Sequence, residues 1–72
     1  MHILPKGTAV LYVGAKKDFM GKTGVIVSPA NNESSMAVVQ VRLDERVCGY
    51  DSVVSLWQKS LIEARYPESE VG

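Results

Sequence analysis

The sequence has one cysteine, Cys48, and one histidine, His2, and this scarcity limits its chemistry. A disulfide within the chain would need a second cysteine. A structural zinc site needs about four ligands of these types, so we expect neither a metal nor another cofactor. A thiolate nucleophile would need a base near Cys48, and His2 stands far away at the terminus. We therefore expect Cys48 to be a small buried apolar residue.

The chain also lacks net charge, because eight lysines and arginines balance eight aspartates and glutamates. This balance excludes a wholly basic or acidic tail protein. No apolar run approaches the roughly 18 residues of a membrane-spanning helix. Residues 1–5 lack the charged and apolar regions of a signal peptide. The sequence therefore predicts a cytoplasmic protein with no membrane partner.

The chain is short but rich in apolar residues. Its 72 residues suffice for one domain, and a domain of this size buries only about 60% of the surface that its unfolded chain exposes. Hydrophobic residues make up 46% of the sequence. Because so small a core cannot cover all of them, we expect some to be exposed or to lie in an interface.

What the sequence does contain is a series of β-branched runs separated by glycine and proline turns. The clearest run is Met36 to Leu43, in which Val39, Val41 and Leu43 alternate with polar residues. Gly24 ends a tight, glycine-bounded approach to the second run. Predicted strands occupy residues 8–13, 25–27, 36–43, 47–54 and 61–64. The fold class that follows is all-β.

Residues 55–65 admit two interpretations. Ser55 and Gln58 have capping-box spacing, and a helix of about three turns is the alternative. We favour a short 3-10 or helical turn followed by a last strand, because Pro67 would interrupt a longer helix and a barrel needs that strand.

Residues 6–10 and 21–26, with Gly14 between them, are similar to the KOW motif of ribosomal and transcription-elongation proteins. The whole chain resembles an SH3-like small barrel of about five strands, with the turn before the last strand at residues 54–61. The resemblance implies a barrel over residues 1–65, and we expect the acidic segment 66–72 to be a flexible tail. A KOW-like module would bind RNA or the transcription and translation machinery.

Two other families of small barrels resemble parts of this chain. Residues 38–44 are similar to a run in a family of small accessory proteins of photosystem I, which implies a docking role. The glycine-bracketed strands and the terminal segment resemble the type II dihydrofolate reductases, whose active site contains a Val-Gln-Ile-Tyr run. The corresponding residues are Val54, Ser55, Leu56 and Trp57. Because Ser55 stands at the glutamine position, we expect no enzyme activity.

Basic residues concentrate in the first third of the chain. Lysines attract phosphates and aromatic rings stack on bases, so this segment is a candidate surface for RNA or single-stranded nucleic acid. The alternative is a solvated lysine-rich loop, which the absence of overall basicity favours. The candidate binding residues are Tyr12, Lys16, Lys17, Phe19 and Lys22.

Apolar residues on both faces of the first two strands predict an interface. Leu56 and Trp57 add to it, because neighbours on a strand point to opposite sides and a small core does not hold both. Trp57 alone could instead fill the core. The candidate interface residues are Leu11, Val13, Val25, Val27, Leu56 and Trp57. We therefore predict a noncatalytic module that binds a protein partner or forms a homo-oligomer. RNA binding is the second hypothesis and a reductase the third.

Overall fold

Five antiparallel strands form the fold of residues 2–64, the part of the chain that the computed structural model describes. The strands are β1 (Ala9–Tyr12), β2 (Thr23–Ser28), β3 (Val38–Leu43), β4 (Val53–Trp57) and β5 (Leu61–Glu63). Two 3-10 turns, Lys17–Phe19 and Gln58–Ser60, precede β2 and β5. The all-β class and the short turn before the last strand are confirmed, and the helix considered for residues 55–65 is wrong. The tail predicted at residues 66–72 lies outside the described residues.

The strands are ordered β4-β3-β2-β1-β5 in one sheet, so β4 and β5 are its edges. Alternation along β3 buries Val39, Val41 and Leu43, as the sequence predicts. Ile26, Val10 and Val41 are the largest fully buried side chains and form the centre of the core. Within residues 2–64, no helix is long and apolar enough to cross a membrane.

Gly24 lies inside β2, between Val10 of β1 and Leu43 of β3 in the strand register. A Cβ atom at this position would lie 2.6 Å from the Arg42 carbonyl oxygen and 2.7 Å from Val41 Cγ1. The backbones can approach this closely only without a side chain. The backbones of β2 and β3 therefore approach each other closely at Gly24.

The strand predicted at residues 47–54 is wrong, because β4 begins only at Val53. Residues 44–52 form a loop that is closed where the Leu43 N–H donates to the Ser52 carbonyl oxygen at 2.9 Å. Gly49 has φ +88°, which turns the chain out of an extended path. Cys48, expected to be buried, is exposed in this loop.

The loop before β3 is attached to the turn before β5 by one buried side chain, Gln58. Its amide nitrogen donates to the carbonyl oxygens of Asn32 and Ser34, at 3.1 Å and 2.9 Å. Its backbone N–H donates to the Ala37 carbonyl oxygen at 2.8 Å. These hydrogen bonds fix the end of β4 and the following turn to the loop before β3.

Candidate ligand-binding groove

A groove of about 620 Å³ lies between the loop after β1 and the end of β4. Its volume is within the range of about 300–1,000 Å³ that is typical of ligand sites. Tyr12 and Leu56 contribute buried side chains to its lining. Lys16, Trp57 and Lys59 contribute exposed ones. We call this site the Trp57 groove.

An aromatic cluster positions the loop that forms one side of the Trp57 groove. The Tyr12 hydroxyl accepts a hydrogen bond from the Lys16 backbone N–H at 3.0 Å. The Phe19 ring meets the Tyr12 ring edge to face, with centroids 5.7 Å apart, and lies 4.7 Å from the Tyr50 ring. These contacts join β1, the first 3-10 turn and the loop before β4.

Phe19 therefore cannot act as the predicted stacking platform, because its side chain is only 2% exposed. The turn Lys17–Phe19 directs this side chain into the core cluster. Tyr12 is also buried, although it is one of the residues that line the groove. Both predicted binding residues are corrected to core residues that shape the site.

The predicted basic surface is divided by the structure. Lys16 lines the groove, whereas Lys17 is exposed on the 3-10 turn and is not part of the lining. The Lys22 ammonium lies 3.7 Å from a carboxylate oxygen of Glu45, so a neighbouring negative charge offsets it. Only one of the three predicted loop lysines therefore contributes a cation to the groove.

Trp57 is the large exposed aromatic residue of the site. Alternation along β4 buries Val54 and Leu56 and leaves Trp57 outside, 47% exposed. Trp57 stands opposite Val38 in the β3–β4 register, and Val38 is exposed as well. The alternative of Trp57 as a core residue is wrong. Leu56, predicted for an interface, belongs to the core.

Lys59 is a site residue that sequence reasoning missed. Its ammonium lies 4.9 Å from the centroid of the Trp57 ring, within the range of cation–π attraction. No local signal in the sequence marks it, because its approach to the ring depends on how the turn Gln58–Ser60 leaves β4. Lys59 places a second positive charge in the groove lining.

The Lys16 side chain lies over the rings of Phe19 and Tyr50, at 5.4 Å and 5.0 Å from their centroids. The Tyr50 hydroxyl raises the pKa of Lys16 above its ordinary value, first through hydrogen bonding and then through charge. Asp18 adds a smaller effect in the same direction and itself accepts a hydrogen bond from Tyr50 at 3.1 Å. These interactions favour the protonated, cationic form of Lys16.

The remaining predicted interface residues lie on β1 and β2 or just after β1. Leu11, Val25 and Val27 are half-buried by the chain itself, whereas Val13 is 48% exposed. Leu11 stands opposite Ile62 of β5, which is 49% exposed and was not predicted. None of these residues belongs to the lining of the Trp57 groove.

Comparisons with protein-family models, with curated proteins and with solved structures give no match for this chain. Among residues 2–64, no three His, Cys, Asp or Glu side chains are grouped so that they could hold a metal ion. Function is therefore inferred from the geometry of the Trp57 groove.

Proposed function

We propose that this protein is a noncatalytic binding module of the SH3-like barrel type, and that the Trp57 groove binds a protein partner. The five strands and the 3-10 turn immediately before β5 support the barrel type. The observation that carries the function is the exposure of Trp57 at the side of a groove of about 620 Å³. Tryptophan is among the residues most enriched at the energetic centres of protein interfaces.

The side chains of the groove suit binding better than catalysis. Its titratable groups are the Tyr12 hydroxyl and the ammonium groups of Lys16 and Lys59. The Tyr12 hydroxyl oxygen accepts a hydrogen bond from the Lys16 N–H and so has a structural role. Ser55 lines the groove where the resembled reductases carry glutamine, and a hydroxyl cannot replace an amide that both donates and accepts through separate atoms.

Single-stranded nucleic acid is the second candidate, and the pairing of Trp57 with Lys59 favours it. An aromatic ring beside a cation is the combination that stacks on a base and neutralises a phosphate. In this hypothesis Trp57 replaces Phe19 as the stacking residue, because Phe19 is buried. We rank it second because the chain has no net positive charge.

The test is selection of random displayed peptides on the full chain, followed by affinity measurement with synthetic copies. We expect Trp57→Ala to weaken binding by about tenfold or more. Ile62→Ala is the matched control, because Ile62 is exposed to a similar extent on the other edge strand. This control should change the affinity by less than about twofold.

A second readout needs no variant. Trp57 is the only tryptophan, so its fluorescence reports on the groove alone, and a bound peptide should shift the emission to shorter wavelength. Peptides that bind without affecting Trp57 by either readout would contradict the proposal. Binding of a short uridine oligonucleotide with no enrichment of peptides would replace the proposal with the second candidate.

A further inference from the structure

Within residues 2–64, the backbone of β4 has one hydrogen-bonding edge without a neighbouring strand, because β4 ends the sheet that these residues form. The Leu43 N–H donates to Ser52, and the Gln58 N–H donates to Ala37. In an antiparallel ladder the hydrogen-bonded pairs alternate with pairs whose polar groups point away. The backbone N–H and C=O groups of Ser55 and Trp57 therefore point away from β3.

This free edge opens on the Trp57 groove, since Ser55 and Trp57 are both part of its lining. Within residues 2–64, none of the loop or side-chain hydrogen bonds uses the backbone groups of these two residues. An exposed strand edge is a template for pairing with another extended chain. The groove thus offers unpaired donors and acceptors beside an exposed aromatic ring.

The charged residues of the groove indicate which side chains an added strand should carry. The described lining residues include two lysines, Lys16 and Lys59, and no aspartate or glutamate. Lys22–Glu45 is the one ion pair found among residues 2–64, so neither groove lysine is in an ion pair there. Two such cations attract carboxylates. They would also repel the same lysines of a second copy that paired β4 with β4.

Resting on the proposed function, we infer that the partner contributes an extended acidic segment that adds as a strand to the free edge of β4. Its backbone hydrogen-bonds to Ser55 and Trp57. Side chains of an extended chain alternate between two faces. One set therefore faces the Trp57 ring and the Lys59 ammonium, which lies 4.9 Å from the ring centroid, so carboxylates of this set pair with Lys59, and Lys16 attracts them from the opposite side of the groove. A nucleic acid would use the lysines and the ring but could not form the backbone ladder.

The charge part of this inference is tested with a blocked peptide of alternating glutamate and valine, about eight residues long, which covers the edge of β4. We expect a saturable shift of the Trp57 emission in the full chain. The double variant Lys16→Gln, Lys59→Gln should weaken binding by about tenfold or more. The matched control, Lys6→Gln with Lys17→Gln, removes two exposed lysines outside the groove and should leave the affinity within about twofold.

The backbone part is tested with two N-methylated forms of the same peptide, one for each set of alternate amides. Only one set can face β4, so one form should lose binding by about a hundredfold while the other retains it. Exchange of the Ser55 amide proton should slow by about tenfold in the complex, because that proton becomes hydrogen-bonded. Neither measurement depends on a variant that could fail to fold.

The outcomes separate this inference from the proposed function. If selected peptides bind at Trp57 and still bind when either set of alternate amides is N-methylated, strand addition is overturned. The proposed function as a protein-binding module is then unaffected. If the alternating peptide binds equally well to the lysine variant, the acidic preference is overturned. If the uridine oligonucleotide binds at Trp57 and no peptide does, both the inference and the protein-binding function are overturned.

Discussion

The Tyr12 hydroxyl accepts a hydrogen bond from the Lys16 backbone N–H at 3.0 Å, so β1 itself positions one side of the Trp57 groove. The partners lie only four residues apart, and the chain between them bends at Gly14. A Cβ atom at Gly14 would lie 2.5 Å from the Tyr12 hydroxyl oxygen and 2.7 Å from Ser60 Oγ. The shape of the groove therefore depends on the side chain of Tyr12, which is itself buried.

The first prediction concerns this hydrogen bond. Tyr12→Phe keeps the ring but leaves the Lys16 N–H without its acceptor, and we expect a loss of about 1 kcal/mol in the free energy of unfolding. Tyr50→Phe is the matched control, because its hydroxyl donates to Asp18 at an exposed site. The control should lose less than about 0.5 kcal/mol. Equal losses in urea unfolding would contradict the role of Tyr12.

The second prediction concerns Gly21 and Gly24, which should be sensitive to substitution for different reasons. Gly24→Ala should cost about 1–3 kcal/mol, because the new Cβ atom meets the Arg42 carbonyl. Gly21→Ala should cost about 1–2 kcal/mol for a different reason, since Gly21 has φ +78° with open space around it.

Asparagine separates the two causes, because it adopts positive φ more readily than alanine but is larger. Gly21→Asn should be more stable than Gly21→Ala, whereas Gly24→Asn should be less stable than Gly24→Ala. Thermal unfolding of the four variants checks the order. The same order at both positions would mean that one of the two explanations is wrong.

The third prediction concerns Gln58, whose amide holds the loop before β3 through two hydrogen bonds. Gln58→Glu has nearly the same shape, but an ionised carboxylate accepts hydrogen bonds and cannot donate them. We expect a loss of about 1–3 kcal/mol at neutral pH. Faster exchange of the Ala37 and Gln58 amide protons should accompany it. Unchanged stability would show that the two contacts are not formed in solution.

The fourth prediction concerns self-association, which we inferred from apolar residues on both faces of the first two strands. The chain itself half-buries Leu11, Val25 and Val27, whereas Val13 and Ile62, which lie after and opposite Leu11, are about half exposed. If these two residues form a contact between copies, Val13→Lys with Ile62→Lys should abolish it. Light scattering at high concentration checks this, and a monomeric wild-type chain would overturn the hypothesis.

The alternation of Val39, Val41 and Leu43 made β3 predictable. The start of β4 was not predictable, because Val47 and Tyr50 extend the apolar pattern into the loop. Their place is decided by distant contacts such as Tyr50 with Phe19. Similarly, alternation shows that Leu56 and Trp57 face opposite sides. Only the pairing of Leu56 with buried Val39 shows which one faces the core.

The groove was harder to predict than the sheet. Phe19 stands among lysines in a polar segment, so nothing local indicates that the turn directs it inward. Lys59 lies far along the chain from Lys16, and only the fold brings both into one lining. The exposed residues of a site depend on long-range register, whereas the sequence pattern reports mainly on single strands.

The most direct test of the Trp57 groove is to map, by nuclear magnetic resonance, where a peptide selected on the wild-type chain changes the amide signals of that chain. We predict that the largest changes occur at Ser55, at Lys59 and at the Trp57 backbone and indole N–H groups. Signals of Val13 and Ile62 should move little, because these residues lie outside the lining. Changes centred on Val13 and Ile62, with Trp57 unaffected, would contradict binding in the Trp57 groove.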